Sequence, residues 1–269
     1  MPDYDGSPTI GPGRGTLFVH GGNLQADCWK SFVALAGGRG TSLVVIPTAL
    51  PDHKLRRFLS SFRGRANYAL LHTNDRNEAN SENFAAALRH ASAVWMMGGR
   101  QWRLAKYYLG TLVEREIKAL LARGGTVGGS SAGASIQASY LVRGKPGDEH
   151  NPNGDNTQVM APEYEKGFAL LPNSAIDQHV IAAKRQNDLQ KVLEVYPGIL
   201  GIGIDEATAI VVKGDVFVVV GMSRVIIHDR QKPPYYMSPG QSFDLRTRTV
   251  HATPPGNTLR LNRWTEGRF

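Results

Sequence analysis

The sequence predicts an α/β fold, with a doubly wound, mostly parallel β-sheet that carries helices on both faces. Over the first half of the chain, short segments rich in apolar and β-branched residues alternate with amphipathic segments of helical length. The apolar segments are continuous rather than interrupted by polar residues, which is typical of parallel strands buried on both sides. Glycine pairs follow several of these segments and indicate turns at the strand ends.

Each predicted strand of the parallel sheet is followed by helical sequence. The strands are Thr16–His20, Ser42–Ile46, Asn67–Leu71 and Ala93–Met97, with a short fifth strand at Gly125–Val127. The helices between them are Trp29–Ala36, His53–Phe62, a helix that runs from the cap Ser81 to His90, Gln101–Leu109 and Leu112–Ala122. Ser81 is predicted as a cap because a serine hydroxyl can accept a hydrogen bond from an amide of the first turn.

The second half of the chain departs from this alternation. Val142–Glu165 is rich in glycine, proline and polar residues, which predicts a long loop, and long loops in compact domains are often functional. Ala175–His179 is predicted as a strand and Ala183–Val195 as a helix. Four apolar segments then follow without helices, which favours antiparallel strands added to the parallel sheet. They are Leu200–Ile204, Thr208–Val212, Val216–Val220 and Val225–His228, and the polar residues 229–269 are predicted as a surface tail.

Length and composition predict one large domain. The chain has 269 residues, of which 41% are hydrophobic and 20% charged, so it can bury a substantial core. We predict a flexible N-terminal segment over residues 1–14 and a single domain over residues 15–269, with an antiparallel extension from about residue 207. No apolar run approaches the roughly 20 residues of a membrane span, so no membrane partner is expected.

The N-terminal sequence and the single cysteine favour a cytoplasmic location. Residues 1–14 are polar and lack the apolar centre of a secretory signal, although a secreted protein whose signal peptide has been removed would look the same. The single Cys28 excludes an intramolecular disulfide.

The net charge of +8 raises the question of nucleic-acid binding. No helix-turn-helix, zinc finger or RNA-binding aromatic signature accompanies the basic residues, so no nucleic-acid partner is expected. We interpret the charge as a solvated basic face that can also attract acidic substrates.

A serine in a glycine-rich turn is the first candidate for chemistry. Gly129-Ser130-Ser131-Ala132-Gly133 follows the strand Gly125–Val127 and precedes Ala134–Tyr140, which can begin a helix. A G-x-S-x-G sequence between a strand and a helix is typical of a nucleophile elbow, in which small neighbours permit a strained turn that exposes the serine hydroxyl. The pattern predicts Ser131 as a nucleophile and the amide of Ala132 as an oxyanion donor, although a plain glycine-rich turn would show the same residues.

Two other segments are predicted to lie at the same edge of the sheet. Asp177-Gln178-His179 ends a predicted strand, and an imidazole there could take the proton of a serine hydroxyl. Gly98-Gly99 ends another strand, so the amide of Gly99 could supply a second oxyanion donor, or the glycines could simply precede a helix.

Four motifs in a fixed order resemble the cyanophycinase and dipeptidase E family of serine peptidases. They are Gly98-Gly99-Arg100-Gln101, Gly129-Ser130-Ser131-Ala132-Gly133-Ala134, Asp177-Gln178-His179 and Gly201-Ile202-Gly203-Ile204-Asp205-Glu206, and the resemblance extends from about Leu17 to Arg246. It implies a class I glutamine-amidotransferase-like (flavodoxin-like) fold and a homodimer, with no cofactor and no metal.

The same resemblance implies what the site does. Ser131 would be the nucleophile and His179 the base in hydrolysis of peptide bonds that follow aspartate or run through its β-carboxyl. The substrate would be a small peptide or an aspartyl polymer. The substrate-binding residues implied are Gln101, Asp177, Gln178 and Arg185. From its position at a strand end, Arg100 is predicted to join them and to offer its guanidinium to a substrate carboxylate, or else to point outward in an ion pair with Glu149 or Asp155.

The acid of the triad is expected in the loop between Ser131 and His179. That loop offers Asp148, Glu149, Asp155, Glu163 and Glu165. We predict Glu149, because its separation from Ser131 is closest to the family pattern, and Asp148 as the next choice. Its function would be to fix the imidazole tautomer and to stabilise the imidazolium.

Two departures from the family pattern predict an altered substrate pocket. Cyanophycinases place Asp or Asn where this chain has Arg100. They also follow the histidine with several arginines, whereas here Ala183 stands at the first of these positions and Arg185 matches the second. Residues at such positions would hold substrate carboxylates, so cleavage of cyanophycin itself is not implied.

Two other functions are compatible with parts of the sequence. An α/β-hydrolase esterase could use His20-Gly21-Gly22 as its oxyanion loop and Asp205 with His228 or His251 as its acid and base. A catalytically silent basic binding protein could keep the fold without the reaction. Labelling of Ser131 by a serine-directed phosphonate would distinguish the second from an enzyme.

Overall fold

A computed structural model describes residues 8–62, 68–147, 154–230 and 232–252 of the chain. The strands are β1 (Thr16–His20), β2 (Leu43–Ile46), β3 (Tyr68–Leu70), β4 (Ala93–Met96), β5 (Thr126–Ser130), β6 (Ala138–Leu141), β7 (Arg143–Lys145), β8 (Asp155–Val159), β9 (Leu171–Gln178), β10 (Leu200–Ile204), β11 (Thr208–Lys213), β12 (Val216–Gly221), β13 (Val225–Asp229), β14 (Lys232–Met237), β15 (Ser242–Asp244) and β16 (Thr249–His251). The helices are α1 (Ala26–Leu35), α2 (Asp52–Phe62), α3 (Arg76–Ala79), α4 (Glu82–His90), α5 (Gln101–Tyr108), α6 (Leu112–Ala122), α7 (Ala132–Ser135) and α8 (Asp188–Val195).

The larger sheet has nine strands in the order β16-β15-β12-β11-β1-β5-β4-β2-β3. Strands β1 to β5 are parallel, and β11 pairs with β1 in the antiparallel direction, as do the strands beyond it with their neighbours. The predicted α/β class, with a parallel core and added antiparallel strands, is confirmed. In the parallel part, His20 lies beside Ser130 and Met96 beside Gly129, so the carboxyl ends of three strands meet at one edge.

A second sheet has the order β14-β13-β10-β9-β6. The strand predicted at Ala175–His179 belongs to this sheet, as β9, and not to the larger one. The prediction that Leu200–Ile204 forms an antiparallel strand holds on one side only, because β10 pairs with β13 in the antiparallel direction and with β9 in parallel. The parallel pairing brings the ends of β9 and β10 together, with Ile204 beside Gln178.

The two faces of the larger sheet pack into different clusters. Leu17 and Val19 of β1 contact the core under α4, α5 and α6, whereas Phe18 packs against Phe32 of α1 and Trp95 of β4. This alternation along one strand is expected when both faces are buried. The first cluster continues into β9, β10 and β13, so the second sheet shares a core with the larger one, and α8 covers its other face.

The chain after Ser131 differs from the prediction in two places. The helix is the single turn α7, and Ala138–Leu141 is a strand, because it pairs with β9 and is mostly buried. Part of the predicted loop Val142–Glu165 forms a hairpin in which β7 pairs with β8.

The helix predicted at Ala183–Val195 begins only at Asp188. The amides of Ile181 and Ala182 donate hydrogen bonds to the carboxylate of Asp205, which holds the preceding segment in turns. Lys184 also has a positive φ of 56°. A positive φ does not occur within a right-handed helix of L-residues, so the helix begins after Lys184.

Described residues near both ends of the chain pack against the rest of it. The predicted flexible segment includes Thr9, which is fully buried and whose hydroxyl donates to the carbonyl of Asn173. The predicted tail contains β14, β15 and β16, and residues 253–269 lie outside the described ranges. In the part of the chain that the structure covers, no helix combines the length and apolar character needed to cross a membrane.

Candidate active site

Ser131 follows β5 directly and begins the turn into α7. Its backbone is strained, with φ of 55° and ψ of −111°, and its amide donates to the carbonyl of His20 at 2.9 Å. Such strain in a non-glycine residue is typical of functional sites. The turn needs small neighbours, because a Cβ atom at Gly129 would lie 2.2 Å from the carbonyl oxygen of Gly133. The geometry is that of the predicted nucleophile elbow.

His179 follows β9 directly and faces Ser131. Its Nε2 atom lies 2.9 Å from the Oγ atom of Ser131, within hydrogen-bonding distance. Its backbone also has a positive φ, of 56°, and its amide donates to the carbonyl of Gly21. The structure therefore brings the predicted nucleophile and base together from two different sheets.

Glu206 completes the arrangement. Its Oε1 atom lies 2.7 Å from Nδ1 of His179. Glu149, the predicted acid, and Asp148, the next choice, both lie outside the described residues. A signal for Glu206 exists in the sequence, because it ends the Gly201–Glu206 motif just after an apolar strand. Glu206 was not predicted, because the family resemblance placed the acid in the loop between Ser131 and His179.

These contacts define the hydrogen-bond directions. A carboxylate can only accept, so Nδ1 of His179 donates to Glu206 and Nε2 is left to accept from the hydroxyl of Ser131. The side chains of His179 and Glu206 are 26% and 36% exposed, so the imidazole is accessible from solvent. This set can transfer a proton from a serine to a leaving group.

A glycine pair packs against the imidazole of His179. A Cβ atom at Gly22 would lie 2.1 Å from Cε1 of His179, and one at Gly21 would lie 2.1 Å from the carbonyl oxygen of Asp205. The carbonyl of Gly22 accepts from the amide of Ala207. His20-Gly21-Gly22, considered above as an esterase oxyanion loop, therefore joins the base and acid segments.

The esterase arrangement does not form. The Asp205 carboxylate accepts from the hydroxyl of Ser223 and from two backbone amides; although burial acts to raise it, these bonds hold the pKa of Asp205 below its ordinary value. His228 is buried on β13, and burial lowers its pKa. His251 lies on β16, separated from β1 by three strands. Asp205 thus stabilises the turn after His179.

The predicted oxyanion donors flank Ser131. Ala132 is the first residue of α7, so its amide has no acceptor within that helix. On the other side, a Cβ atom at Gly98 would lie 3.2 Å from Cβ of Ser131, and Gly99 has a φ of 143°. The donor function of Ala132 and Gly99 remains a prediction.

A cavity of about 600 Å³ opens beside Ser131 and His179. Three of the predicted substrate-binding residues, Arg100, Gln178 and Arg185, line it. The other lining residues are Leu50, Pro51, Lys54, Gly98, Gly99, Gly154, Asp155 and Thr157.

Gln178 and Arg185 form one wall of this cavity. Nη1 of Arg185 donates to Oε1 of Gln178 at 3.2 Å. Burial, with the nearby charge of Arg143, lowers the pKa of Arg185, although Asp177 and Asp188 oppose this effect. Arg185 is thus held facing the cavity while its charge is only partly compensated.

The other two predicted substrate-binding residues, Asp177 and Gln101, do not reach the cavity. Asp177 is fully buried and forms a bidentate ion pair with Arg143, and Nε2 of Gln101 donates to the carbonyl of Arg143 at 2.8 Å. Although burial acts to lower it, hydrogen bonds to Asp177 and Asp188 raise the pKa of Arg143. These placements correct the predicted contacts with substrate: both residues instead fix the β7–β8 hairpin, which carries Asp155 and Thr157 to the cavity.

Comparisons with known proteins identify the family. The cyanophycinase of Geminocystis herdmanii is 28% identical over 241 residues, which cover 87% of this chain and 85% of that protein. The cyanophycinase of Trichormus variabilis is 30% identical over 218 residues, covering 78% and 70%. The crystal structure of a peptidase from an acI-B1 Actinobacterium superposes with a TM-score of 0.66 at 23% identity, over 87% of this chain and 98% of that one, which shows the shared fold. A family model, that of peptidase family S51, matches residues 16–220. The chain therefore belongs to peptidase family S51 and is a serine-type peptidase.

Proposed function

We propose that this serine peptidase hydrolyses aspartyl or β-aspartyl peptide bonds, with Ser131 as nucleophile, His179 as general base and Glu206 as the residue that orients the imidazole. The observation that supports the proposal most directly is the continuous hydrogen-bonded series from Ser131 through His179 to Glu206, with distances of 2.9 Å and 2.7 Å. A serine hydroxyl needs such a base to lose its proton near neutral pH.

In the proposed reaction, Oγ of Ser131 attacks the carbonyl carbon while Nε2 of His179 accepts its proton. Glu206 stabilises the imidazolium, and the amide of Ala132 donates to the developing oxyanion. The C–N bond then breaks, the leaving amine takes the proton from His179, and an ester of Ser131 remains. Water, activated by His179, attacks this ester and restores the free hydroxyl.

Two observations support an aspartyl substrate. The named relatives are cyanophycinases, and the cavity beside Ser131 contains Arg185, which Gln178 holds in place. A guanidinium so placed can bind the free carboxylate that an aspartyl residue retains on the acyl side of the scissile bond.

The test compares Ser131→Ala with Ser130→Ala, its neighbour in the same turn. Both would be offered α-aspartyl dipeptides, β-aspartyl dipeptides, cyanophycin and simple esters, and both would be treated with a serine-directed phosphonate. We expect Ser131→Ala to lose hydrolysis and labelling, and Ser130→Ala to keep both. A wild-type protein that cleaves esters but no aspartyl peptide would overturn the proposed substrate, and labelling that persists in Ser131→Ala would overturn the proposed nucleophile.

A further inference from the structure

We infer that the cavity selects peptides with an acidic residue on the leaving side of the scissile bond, and that Arg100 and Lys54 bind its side-chain carboxylate. The inference rests on the proposed function, since it concerns the second residue of the same substrate.

The cavity is strongly cationic. Among its described lining residues, three side chains are basic (Lys54, Arg100 and Arg185) and one is acidic (Asp155). Such an excess of one sign in a partly enclosed site raises the local concentration of oppositely charged groups.

The three basic side chains lie on two walls of the cavity, on either side of Ser131. Arg185 belongs to the wall formed after β9, next to His179. Arg100 follows the glycine pair that touches Ser131 from the opposite side, and its amide donates to the carbonyl of Ala49 at 2.7 Å. The chain continues from Ala49 into α2, which carries Lys54 into the same cavity. Arg100 and Lys54 therefore share one wall, and a substrate that places an aspartyl carboxylate on Arg185 would extend its leaving residue toward them.

The one acidic side chain among the described lining residues is hydrogen-bonded within its own strand. The carboxylate of Asp155 accepts from the amide of Thr157 at 2.7 Å and from its hydroxyl at 2.6 Å. These bonds, more than the charge of Arg100, lower the pKa of Asp155. Within the described residues, neither Arg100 nor Lys54 forms an ion pair with a carboxylate, although the charges of Asp155 and Arg100 interact.

The consequence is a charge preference at the leaving residue. A glutamate there would accept charge-assisted hydrogen bonds from the planar fork of Arg100, whereas an arginine would face two like charges. We expect kcat/KM for β-aspartyl-glutamate to exceed that for β-aspartyl-arginine by about 10- to 100-fold, with the neutral isostere β-aspartyl-glutamine between them.

The experiment measures kcat/KM for these three dipeptides with the wild type, Arg100→Gln, Lys54→Gln and the double variant. Lys106→Gln is the matched control, because Lys106 is an exposed cation on α5, the helix that begins just after Arg100, and does not line the cavity. We expect the double variant to reduce the ratio of kcat/KM for the glutamate dipeptide to that for the arginine dipeptide at least tenfold. We expect Lys106→Gln to leave this ratio unchanged.

Each possible result either supports or overturns the inference. An equal ratio in the wild type and the double variant would overturn the inference, as would an equal change in Lys106→Gln, which would indicate only overall charge. If no dipeptide is hydrolysed, the proposed function is contradicted, and calorimetric binding of the same dipeptides to Ser131→Ala then tests the inference separately. The inference is supported if Ser131→Ala binds the glutamate dipeptide more tightly than the arginine dipeptide, and if this difference disappears when Arg100 and Lys54 are also replaced. Equal binding of the two dipeptides to Ser131→Ala overturns it.

Discussion

Two hydrogen-bonded pairs of side chains, whose first members lie two residues apart on one segment, have opposite surroundings. Asp177 is fully buried against Arg143, whose side chain is 2% exposed. His179 pairs with Glu206, and both of these side chains reach solvent. The difference follows from the end of β9: Asp177 is still within the strand and points into protein, whereas His179 lies just beyond it at the edge of the cavity.

This contrast separates a structural pair from a reactive one. The guanidinium of Arg143 remains protonated, and in a buried site both partners are needed, since either alone would be an uncompensated charge. The imidazole of His179 has to gain and lose a proton in each catalytic cycle and therefore needs access from solvent and substrate. Replacing one member of each pair should affect stability in the first and rate in the second.

The largest effect is expected at the accessible pair. Glu206→Gln keeps the shape of the side chain but removes the carboxylate that fixes the tautomer of His179. We expect kcat on an aspartyl dipeptide to fall by about two to four orders of magnitude, while the midpoint of urea unfolding stays near that of the wild type. A stability loss without a rate loss would show that Glu206 acts structurally.

The buried pair should give the reverse result. Asp177→Asn leaves the charge of Arg143 partly compensated by Asp188 alone, and we expect unfolding free energy to decrease by about 3–5 kcal/mol. Urea denaturation measures this value, and Asp188→Asn, at the more exposed partner, is the matched control with a smaller loss. An unchanged unfolding free energy in Asp177→Asn, with a large rise in KM, would restore Asp177 as a substrate-binding residue.

A third titratable side chain near the site is a buried histidine, which makes stability depend on pH. His20 is fully buried, and its Nδ1 atom accepts from the amide of Gly22 at 3.2 Å. Burial, with a smaller effect of His179, lowers the pKa of His20 from 6.5 to about 4. The unfolded chain therefore binds one more proton than the folded chain between these values, so stability falls as pH decreases through this range, by about 3 kcal/mol in total.

Urea unfolding at pH 7 and at pH 4.5 tests this dependence in the wild type and in His20→Asn. The asparagine Oδ1 can replace Nδ1 as the acceptor for Gly22 but does not titrate. We expect the variant to lose much less stability on acidification, with the remaining loss including that from His228, whose pKa is also lowered. Equal losses in both proteins would show that His20 titrates normally.

The smallest effect is expected at a fully accessible pair. Lys30 and Asp27 lie one helical turn apart on α1 at 2.9 Å, with side chains 76% and 92% exposed. Such pairs contribute little because water screens them. We expect Lys30→Gln to change neither the unfolding midpoint nor kcat within error, and a clear change in either would weaken the argument that burial decides what an ion pair does.

The sequence was sufficient where local signals decide the structure. The five parallel strands, most of the helices between them and the Ser81 cap were predictable from apolar periodicity and capping. The placement of Ser131 and His179 was also predictable, because each follows a strand directly and the small residues around Ser131 permit one kind of turn. The hydroxyl of Ser81 does accept from the amide of Phe84.

The sequence by itself thus determined the parallel core, the nucleophile elbow and the family motifs. The tertiary structure decided which carboxylate meets His179 and which motif residues reach the cavity. The physical reason is that both depend on strand direction and on partners distant in the chain. The parallel pairing of β10 with β9 places Glu206 beside the imidazole of His179, and Arg143 is the buried counter-ion of Asp177. No local pattern contains the direction of a strand pair or the identity of a buried counter-ion.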